Sequence, residues 1–229
     1  MKPQDRPQGG SMRFLFAITM LFVVMAFIGC RLDETLKEIA TTTTTTMKET
    51  IEERGPVAPI SWEATDSSRK EWSKYAYGLA SSEYFIRLLD AKDWNRFCTK
   101  FYSLSLEQRA TLFVEWVSAT SKYESSWNPK SFAVDVGKPD NKATWSTGLM
   151  QVSAADYQNR FGYDFEDLLT PKPNIHLAYE ILAMQIKKTG LVILPNSNPN
   201  RYWAVLLEGN KYQKISQITA ATQKLPFCN

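Results

Sequence analysis

The chain has 229 residues, of which 44% are apolar and 22% charged, so it can form one packed domain with extra segments or at most two small domains. The first 30 residues hold three of the 27 basic and one of the 24 acidic residues, which leaves a net charge of +1 on the remainder and argues against a nucleic-acid-binding protein. A single histidine, His176, argues against a zinc site and against a Ser-His-Asp hydrolase, for which no G-x-S-x-G motif is present. No Walker loop or dinucleotide fingerprint occurs, and we expect no metal or organic cofactor.

An apolar segment near the N-terminus, Phe14–Gly29, follows Arg13 and is interrupted only by Thr19. Its 16 residues are few for a membrane span, which takes about 20, whereas a basic start and a short apolar core are typical of a secretory signal. The ending Phe27-Ile28-Gly29-Cys30 resembles a bacterial lipobox, in which the signal is cut before a cysteine that receives a lipid. We therefore predict a signal peptide over residues 1–30, with Cys30 as the lipidation site.

This N-terminus predicts a protein on the periplasmic side of a bacterial membrane, tethered by its lipid. Arg31, and not an aspartate, follows the cysteine, which in a Gram-negative cell favours an outer-membrane lipoprotein. The alternatives are a secreted protein or an uncleaved anchor helix, and Met12 is a second candidate for the true start. Every alternative leaves the rest of the chain outside the cytoplasm.

Residues 31–61 are predicted to be a flexible linker, because they have few aromatic residues and contain six consecutive threonines, Thr41 to Thr46. Aromatic residues become dense from Trp62, so the folded domain is expected over residues 62–229. With Cys30 lipidated, an even pair of cysteines remains in an oxidising compartment, which favours a Cys98–Cys228 disulfide. Such a loop of about 130 residues would contribute roughly 4–5 kcal/mol in the chain-entropy model. The alternative is two separate buried thiols.

The first helical stripe of the domain consists of apolar residues at helical spacing. It predicts a helix whose inner face carries Trp72, Tyr75, Leu79, Ile86 and Leu89.

Two further helices have recognisable ends. Ser105–Gln108 matches a capping box, with Ser at the N-cap and Gln at N3, and predicts a helix that runs to about Tyr123. Asn174 is predicted to cap another helix, which ends before Gly190. No run of alternating strands is present, so we predict a mainly α fold with, at most, a small β-hairpin within residues 132–145.

Glu124 is the most informative residue of the second helix. Ala110, Phe113, Val117 and Thr120 precede it at alternating steps of three and four, so Glu124 continues the inward-facing stripe at the C-terminal end. Desolvation and the negative end of the helix dipole both disfavour its ionised form and raise its pKa. A carboxylic acid that stays protonated near neutral pH can act as the acid of a glycosidase. The alternative is a frayed helix end with the side chain in water.

Three motifs follow in a fixed order. Glu124-Ser125-Ser126-Trp127-Asn128-Pro129 is followed by Ser146-Thr147-Gly148-Leu149-Met150-Gln151-Val152-Ser153, and then by Pro173-Asn174-Ile175 with Ile181-Leu182. Over roughly residues 106–207 this series resembles the lytic transglycosylase family, the SLT domain related to goose-type lysozyme. The resemblance implies a lysozyme-like α fold with a groove for glycan strands.

The resemblance also implies the roles of individual residues. Glu124 matches the catalytic glutamate, Asn174 matches the asparagine that opens the next helix, and Tyr202 stands where a tyrosine orients the glutamate. Trp203 stands where the family has asparagine, Ala178 replaces a glycine, and an insert lies around residues 134–144. The substrate-binding residues carried over from the family are Ser125, Ser146, Gly148, Leu149, Met150, Gln151 and Tyr202.

The implied reaction is cleavage of the β-1,4 bond between N-acetylmuramic acid and N-acetylglucosamine, with Glu124 as acid and then base and a 1,6-anhydro-muramic end as product. One alternative is a hydrolytic muramidase, for which Asp135 or Asp140 in the insert would supply a second carboxylate. The ordinary interpretation of both aspartates is that they are turn residues. Another alternative is a non-catalytic wall-binding lipoprotein.

The expected partners are the glycan strands of peptidoglycan and, through the lipid, a membrane. We expect no nucleic-acid partner and a monomer. Aromatic faces suit sugar rings, and the candidates near the motifs are also candidates for the core, where at least half of them are expected to pack. These aromatic candidates are Tyr123, Trp127, Trp145, Tyr157 and Trp203.

Overall fold

The structure is a computed structural model that describes residues 55–82, 84–156 and 158–229. The predicted signal peptide, Cys30 and most of the predicted linker lie outside the described residues. Within the described ranges, no helix is both long enough and apolar enough to cross a bilayer.

The described part of the chain is mainly α-helical, as predicted, and its strands are two residues long. Short 3-10 helices connect the larger elements at Ser61–Ala64, Ser67–Arg69, Trp94–Arg96, Phe101–Ser103, Lys142–Thr144 and Ala204–Leu206. The α-helices are α1 (Lys70–Ser81), α2 (Phe85–Leu89), α3 (Leu106–Ser125), α4 (Phe165–Leu168), α5 (Pro171–Thr189) and α6 (Ile215–Thr222), and the strands are β1 (Phe132–Ala133), β2 (Ser146–Thr147), β3 (Leu194–Pro195) and β4 (Leu207–Glu208).

Helix α3 is the central element of the domain. Every residue from Ala110 to Ser121 is buried, so the helix is surrounded by protein on all sides. It packs against α1, α6 and the 3-10 helix at Ser61–Ala64. The predicted capping box is present, because the Ser105 hydroxyl accepts the N–H of Gln108 and the Gln108 side chain accepts the N–H of Ser105.

The predicted first stripe is divided between two helices. Helix α1 ends at Ser81 and α2 begins at Phe85, so the spacing does not continue through one helix. Ile86 is 76% exposed, which corrects its predicted place on the inner face. The fully buried face of α1 carries Ser73, Ala76, Tyr77 and Ala80, and the predicted residues Trp72, Tyr75 and Leu79 lie half-buried at its edge.

Helix α5 begins earlier than predicted. Its N-cap is Thr170 and Pro171 is its first residue, so Asn174 lies one turn inside the helix and does not cap it. Proline is tolerated in a first helical turn because the N–H groups there have no intrahelical partner. The C-terminus agrees with the prediction, since Gly190 follows Thr189 with φ 70°, a left-handed conformation that glycine adopts readily.

A minimal hairpin is present, but its second strand begins one residue beyond the predicted range of 132–145. Strands β1 and β2 pair antiparallel, with Phe132 opposite Thr147 and Ala133 opposite Ser146. A second pair, β3 and β4, is parallel, with Leu194 opposite Leu207. The β1–β2 pair leads from the segment after α3 to the Gly148 segment and so positions the candidate site.

The predicted disulfide between Cys98 and Cys228 is present, with 4.9 Å between the two Cα atoms. It joins the C-terminus to the connection between α2 and α3. Next to it, an aromatic cluster joins Trp94, Phe97 and Phe101 to Phe113 and Trp116 of α3.

The domain begins before the predicted boundary at Trp62. Ala58 and Ile60, which sequence analysis assigned to the linker, are buried in the core. The backbone N–H groups of Val57 and Trp62 donate to side chains of α3 at 3.0 Å each. We call residues 57–62 the N-terminal strap.

Candidate active site

Glu124 lies in the last turn of α3, at the end of the predicted inward stripe. Ala110, Phe113, Val117 and Thr120 are completely buried, as the spacing predicts. The Oε1 atom of Glu124 is buried and has no hydrogen-bond partner among the described residues. This oxygen of the carboxyl group therefore faces the protein, while Glu124 as a whole is partly exposed.

Burial alone determines the protonation of this carboxyl group. Desolvation raises the pKa of Glu124 to about 7, and it is the one cause of the shift that the described residues provide. Near neutral pH the group is therefore protonated in a substantial fraction of molecules. It can donate a proton and, once ionised, accept one, which are the two roles of a general acid and base.

The backbone directly after Glu124 is in a sparsely populated conformation. Ser126 has φ 55° and Trp127 has φ 60°, and neither residue is glycine. The turn is held by the indole of Trp127, whose Nε1–H donates to the carbonyl of Ser118 at 2.8 Å. Such left-handed residues are found preferentially at functional sites, where the surrounding packing compensates their strain.

The predicted Gly148–Gln151 motif forms a tight loop beside the end of α3. Thr147 and Val152 exchange both backbone hydrogen bonds and close the loop at its base. Gly148 has φ 71°, and a Cβ atom there would lie 2.2 Å from both Asn174 Nδ2 and the carbonyl oxygen of Leu168. Only glycine fits this position.

Asn174 anchors the loop from inside α5. Its Nδ2 donates to the carbonyls of Thr147 at 2.8 Å and Leu168 at 2.9 Å, and its Oδ1 accepts the N–H of Met150 at 2.8 Å. The residue is completely buried. Its role is therefore to fix the loop conformation, and the resemblance identified an important residue while the capping prediction gave it the wrong role.

Ser125 connects the end of α3 to this loop. The Ser125 hydroxyl lies 2.8 Å from the carbonyl oxygen of Leu149 and 3.1 Å from that of Ser121. A hydroxyl has one proton, so the two carbonyls share it. This contact places the loop against the residue next to Glu124, and it makes Ser125 a positioning residue in the unliganded protein.

The predicted substrate-binding residues of the loop fall into two groups. The side chains of Leu149 and Met150 are completely buried, so they pack in the core, which corrects the prediction that they contact substrate. Ser146 and Gln151 are partly exposed. The Gln151 amide donates to the carbonyl of Gly148 at 2.8 Å, and φ of Gln151 is 47°.

Tyr202 lies close enough to Glu124 for their charges to interact. Its hydroxyl accepts the N–H of Ser153 at 3.1 Å. Burial, and then the negative charges of Asp156 and Glu124, raise the pKa of the Tyr202 phenol. The charge of Glu124 acts on Tyr202, but the buried Oε1 atom receives no hydrogen bond from it or from any other described residue.

Two residues of the site were not assigned a role from the sequence. Trp203 was noted as a departure from the family and as an aromatic candidate, yet its Nε1–H donates to the carbonyl of Met150 at 2.8 Å and supports the loop. Asp156 was not considered, although its half-buried carboxyl group acts on Tyr202. Its position in the polar segment after Val152 carries no sequence signal, because an aspartate in a polar loop is ordinary.

The aspartates of the insert differ in exposure. Asp135 is partly buried, and its Oδ1 accepts the N–H of Gly137 at 3.0 Å in a local turn. Asp140 is exposed. Asp135 is therefore the less exposed of the two, and its hydrogen bond is that of an ordinary turn residue.

The aromatic candidates also differ in how exposed they are. Trp203 is buried, whereas Tyr123, Trp127 and Trp145 are partly exposed. Trp145 stacks on Phe132, which is 51% exposed, with 5.4 Å between the ring centroids. Tyr157 lies outside the described residues.

Comparisons with known proteins agree with this geometry. The family model "Transglycosylase SLT domain" matches residues 102–206. No curated protein matches. Among solved structures, the wild-type form 2 of DslA is 25% identical, with a TM-score of 0.63 over 75% of this chain and 98% of that chain. A glutamate-to-glutamine mutant of DslA is also 25% identical, with a TM-score of 0.62 over 74% of this chain and 97% of that chain.

The matched region agrees closely with the predicted resemblance over residues 106–207. It contains α3, the hairpin, the Gly148–Gln151 loop, α5 and Tyr202. Residues 102–206 of this chain therefore match the transglycosylase SLT domain, which supports a lytic transglycosylase-type function on peptidoglycan, and the described residues have a mainly α, lysozyme-like fold.

Proposed function

We propose that this protein cleaves the β-1,4 bond between N-acetylmuramic acid and N-acetylglucosamine, with Glu124 as the only acid and base. The observation that carries the proposal is the buried Oε1 atom of Glu124, which has no hydrogen-bond partner within the described ranges. A desolvated and unpartnered carboxyl group keeps its proton near neutral pH, and the partly exposed Glu124 can meet the oxygen of a leaving sugar.

The proposed reaction has two steps. Protonated Glu124 gives its proton to the glycosidic oxygen, the bond between that oxygen and C1 of the muramic residue breaks, and the N-acetyl group supports the positive charge that develops at C1. Ionised Glu124 then takes the proton of the C6 hydroxyl of the same residue, whose oxygen bonds to C1. The product is a 1,6-anhydro ring, and no water is consumed.

The contacts around Glu124 support this use of one carboxyl group. Ser125 holds the end of α3 to the Gly148–Gln151 loop, and Asn174 holds that loop to α5. The carboxyl group is thus fixed between packed elements. Fixing a catalytic group removes the entropy that would otherwise be lost on reaching the transition state.

The test is digestion of purified sacculi by the wild type and by Glu124→Gln, with mass spectrometry of the released fragments. We expect muropeptides one water lighter than hydrolysis products from the wild type, and none from Glu124→Gln. Glu71→Gln, an exposed glutamate on α1, is the matched control and should remain active. Activity of Glu124→Gln would contradict the assigned role, and an inactive wild type that pellets with sacculi would identify a wall-binding protein.

One observation favours hydrolysis as a second candidate function. The names of two DslA structures record glutamate-to-glutamine changes at positions eleven residues apart. Glu124 and Asp135 have the same separation in this chain. A hydrolase of this kind would use the second carboxylate to activate water.

Asp135→Asn and Asp140→Asn distinguish the two functions. A transglycosylase keeps most of its activity in both variants and yields anhydro ends. A hydrolase yields reducing ends and loses activity in Asp135→Asn, while the exposed Asp140→Asn serves as its control.

We further propose that the protein is exported and anchored through a lipid on Cys30. The support is the lipobox-like sequence that ends at this residue. Cys30→Ser should move the protein from the membrane fraction of the native cells to the soluble fraction and abolish incorporation of labelled fatty acid. Unchanged membrane association without label would indicate an uncleaved anchor helix.

A further inference from the structure

A polar pocket lies beside Tyr202. Its volume is about 160 Å³, and about 10–15 Å³ of such cavity volume is enough to hold one water molecule. It therefore has room for a small polar group. Ile181 and Tyr202 supply apolar surface, and the polar side chains that line the pocket are Asp156, Gln158, Gln185, Lys188, Asn200 and Arg201.

Three separate elements build the pocket. Helix α5 contributes Gln185 and Lys188 from one face, because they are three residues apart. The loop after Val152 contributes Asp156, and the segment before the 3-10 helix at Ala204–Leu206 contributes Arg201. Side chains from distant parts of the sequence thus converge on one space.

Tyr202 connects this pocket to the candidate catalytic residue. The tyrosine lines the pocket, and its neighbour Trp203 donates to the carbonyl of Met150 at 2.8 Å. The adjacent carbonyl of Leu149 accepts the hydroxyl of Ser125, the residue after Glu124. The pocket and Glu124 are therefore linked through the Gly148–Gln151 loop. A substituent of a sugar bound at Glu124 is the part of a substrate that would reach the pocket.

The two positively charged side chains of the pocket, Lys188 and Arg201, differ in their carboxylate partners. The negative charge of Asp156 lies close enough to Lys188 for the two to interact. Arg201 donates to the carbonyl of Asn198 at 3.1 Å, and in the described part of the chain no carboxylate pairs with it. Lys188 thus lies near a carboxylate, whereas the exposed guanidinium of Arg201 is open to an anion from solution.

We propose that this pocket binds a carboxylate carried by the muramic acid residue of the substrate. The sugars themselves carry only hydroxyl and acetamido groups, which need no cation. The lactyl substituent of muramic acid ends in a carboxylate when it is free and carries a peptide with further carboxylates when it is substituted. Arginine and lysine recognise carboxylates through charge-assisted hydrogen bonds. The inference rests on the proposed function and extends it, because it assigns a site for the substituent.

The experiment measures binding to the full-length protein in the Glu124→Gln background, so that ligands are not consumed. The probes are a peptidoglycan tetrasaccharide with its peptides, the same tetrasaccharide after amidase has removed the peptides, and chitotetraose, which has no carboxylate. The variants are Lys188→Met and Arg201→Gln, alone and combined. Lys187→Met is the control, since this exposed neighbour on α5 does not line the pocket.

We expect the double variant to bind the peptide-bearing tetrasaccharide about tenfold more weakly, with chitotetraose and the Lys187→Met control unchanged. A similar loss for the peptide-free tetrasaccharide identifies the lactyl carboxylate as the bound group, and a loss confined to the peptide-bearing ligand identifies a peptide carboxylate. Unchanged affinity for both muramic ligands, or an equal loss for chitotetraose, overturns the inference.

Failure of this inference and failure of the proposed function give different results. If the proposed function is wrong, the wild type releases no fragments from sacculi. If only the inference is wrong, the wild type releases them and the double variant does so with unchanged KM for peptide-bearing strands.

Discussion

A carboxyl group that donates a proton near neutral pH must be kept from ionising, and burial does this for Glu124. Its pKa is raised to about 7 by desolvation. Glu180 in the same domain shows the opposite arrangement, because its buried carboxylate contacts Arg87 and Arg160, which lower its pKa although burial alone would raise it. Two glutamates of one domain thus have different protonation states, and only the protonated one suits acid catalysis.

The first prediction concerns the pH dependence of activity. Because the proposed reaction starts from protonated Glu124, kcat/KM should fall about tenfold per pH unit above pH 7. The measurement is the initial rate of sacculus clearing between pH 5 and pH 9. A rate that stays constant up to pH 9 would show that the limiting proton does not come from this group.

The second prediction concerns stability. The folded-state pKa of Glu124 is about 7 and its ordinary value is 4.5, so the folded state holds the proton more tightly than the unfolded state. This contribution to stability is complete below about pH 4.5 and is lost as the pH rises to about 7. Glu124→Gln removes this titration. The free energy of unfolding of the variant minus that of the wild type should therefore increase by up to about 3 kcal/mol between pH 4 and a pH above 7.

Urea unfolding of both proteins at pH 4, 6 and 8 measures this difference. Glu115 also has a raised pKa of about 7, but it is present in both proteins and its effect cancels. A difference that does not change with pH would mean that the carboxyl group is as well solvated in the folded state as in the unfolded chain.

At the scale of elements, the site is a contact between the end of α3, a four-residue loop and the first turns of α5. Sequence periodicity and motifs predicted these three parts, because both depend on residues close in the chain. The contacts between the parts were not predictable. The three hydrogen bonds of Asn174 run to Thr147, Met150 and Leu168, which lie six or more residues away and follow no local pattern.

The errors of sequence analysis have the same origin. Leu149 and Met150 stand in a family motif beside the glutamate and were assigned to the groove, but apolar side chains in a tight loop turn toward the core. The predicted apolar stripe was continued from α1 into α2 across the helix end at Ser81, because the spacing of apolar residues alone does not indicate where a helix ends.

The third prediction tests the loop. In Gly148→Ala, the new Cβ would lie 2.2 Å from both Asn174 Nδ2 and the Leu168 carbonyl, and the backbone would keep a left-handed φ. We expect a loss of more than about 3 kcal/mol in the free energy of unfolding, together with loss of activity. Thermal and urea unfolding give the stability, and sacculus clearing gives the activity.

Gly209→Ala is the matched control, because Gly209 has φ 77° but no described atom within 4 Å of its added Cβ. It should cost only about 1 kcal/mol, the conformational part of the effect. Equal losses in the two variants would show that the close approach to Asn174 does not constrain the loop.

At the scale of the whole molecule, the buried helix α3 connects the N-terminal strap with the candidate site. The strap lies along α3 and donates hydrogen bonds to it. The backbone N–H groups of Val57 and Trp62 donate to Thr111 and Ser118, respectively. Ser61 donates to Glu115 through its backbone N–H at 2.8 Å and through its hydroxyl. These partners on α3 recur every three or four residues and form one face of the helix. A helix that is buried all round has to be covered on every side, and the strap supplies one of those sides.

The last prediction follows from this arrangement. A chain that begins at Trp62 loses the buried side chain of Ile60, whose burial is worth about 2 kcal/mol. It also leaves the Glu115 carboxyl group buried without the two donors of Ser61, at a cost of about 1–3 kcal/mol. Relative to a chain that begins at Gly55, it should therefore be less stable by roughly 3–5 kcal/mol in urea unfolding.

Point variants of the full-length chain separate the two contributions. Ile60→Ala should lower the free energy of unfolding by about 2–4 kcal/mol, whereas Val57→Ala, which changes a side chain that is 54% exposed, should change it by less than about 0.5 kcal/mol. Ser61→Ala removes only the hydroxyl donor to Glu115, and its loss of stability should lie between those of Val57→Ala and Ile60→Ala. Equal stability of the chains that begin at Gly55 and Trp62 would mean that the strap lies on α3 without stabilising it, and that the linker extends to Ser61 as the composition predicts.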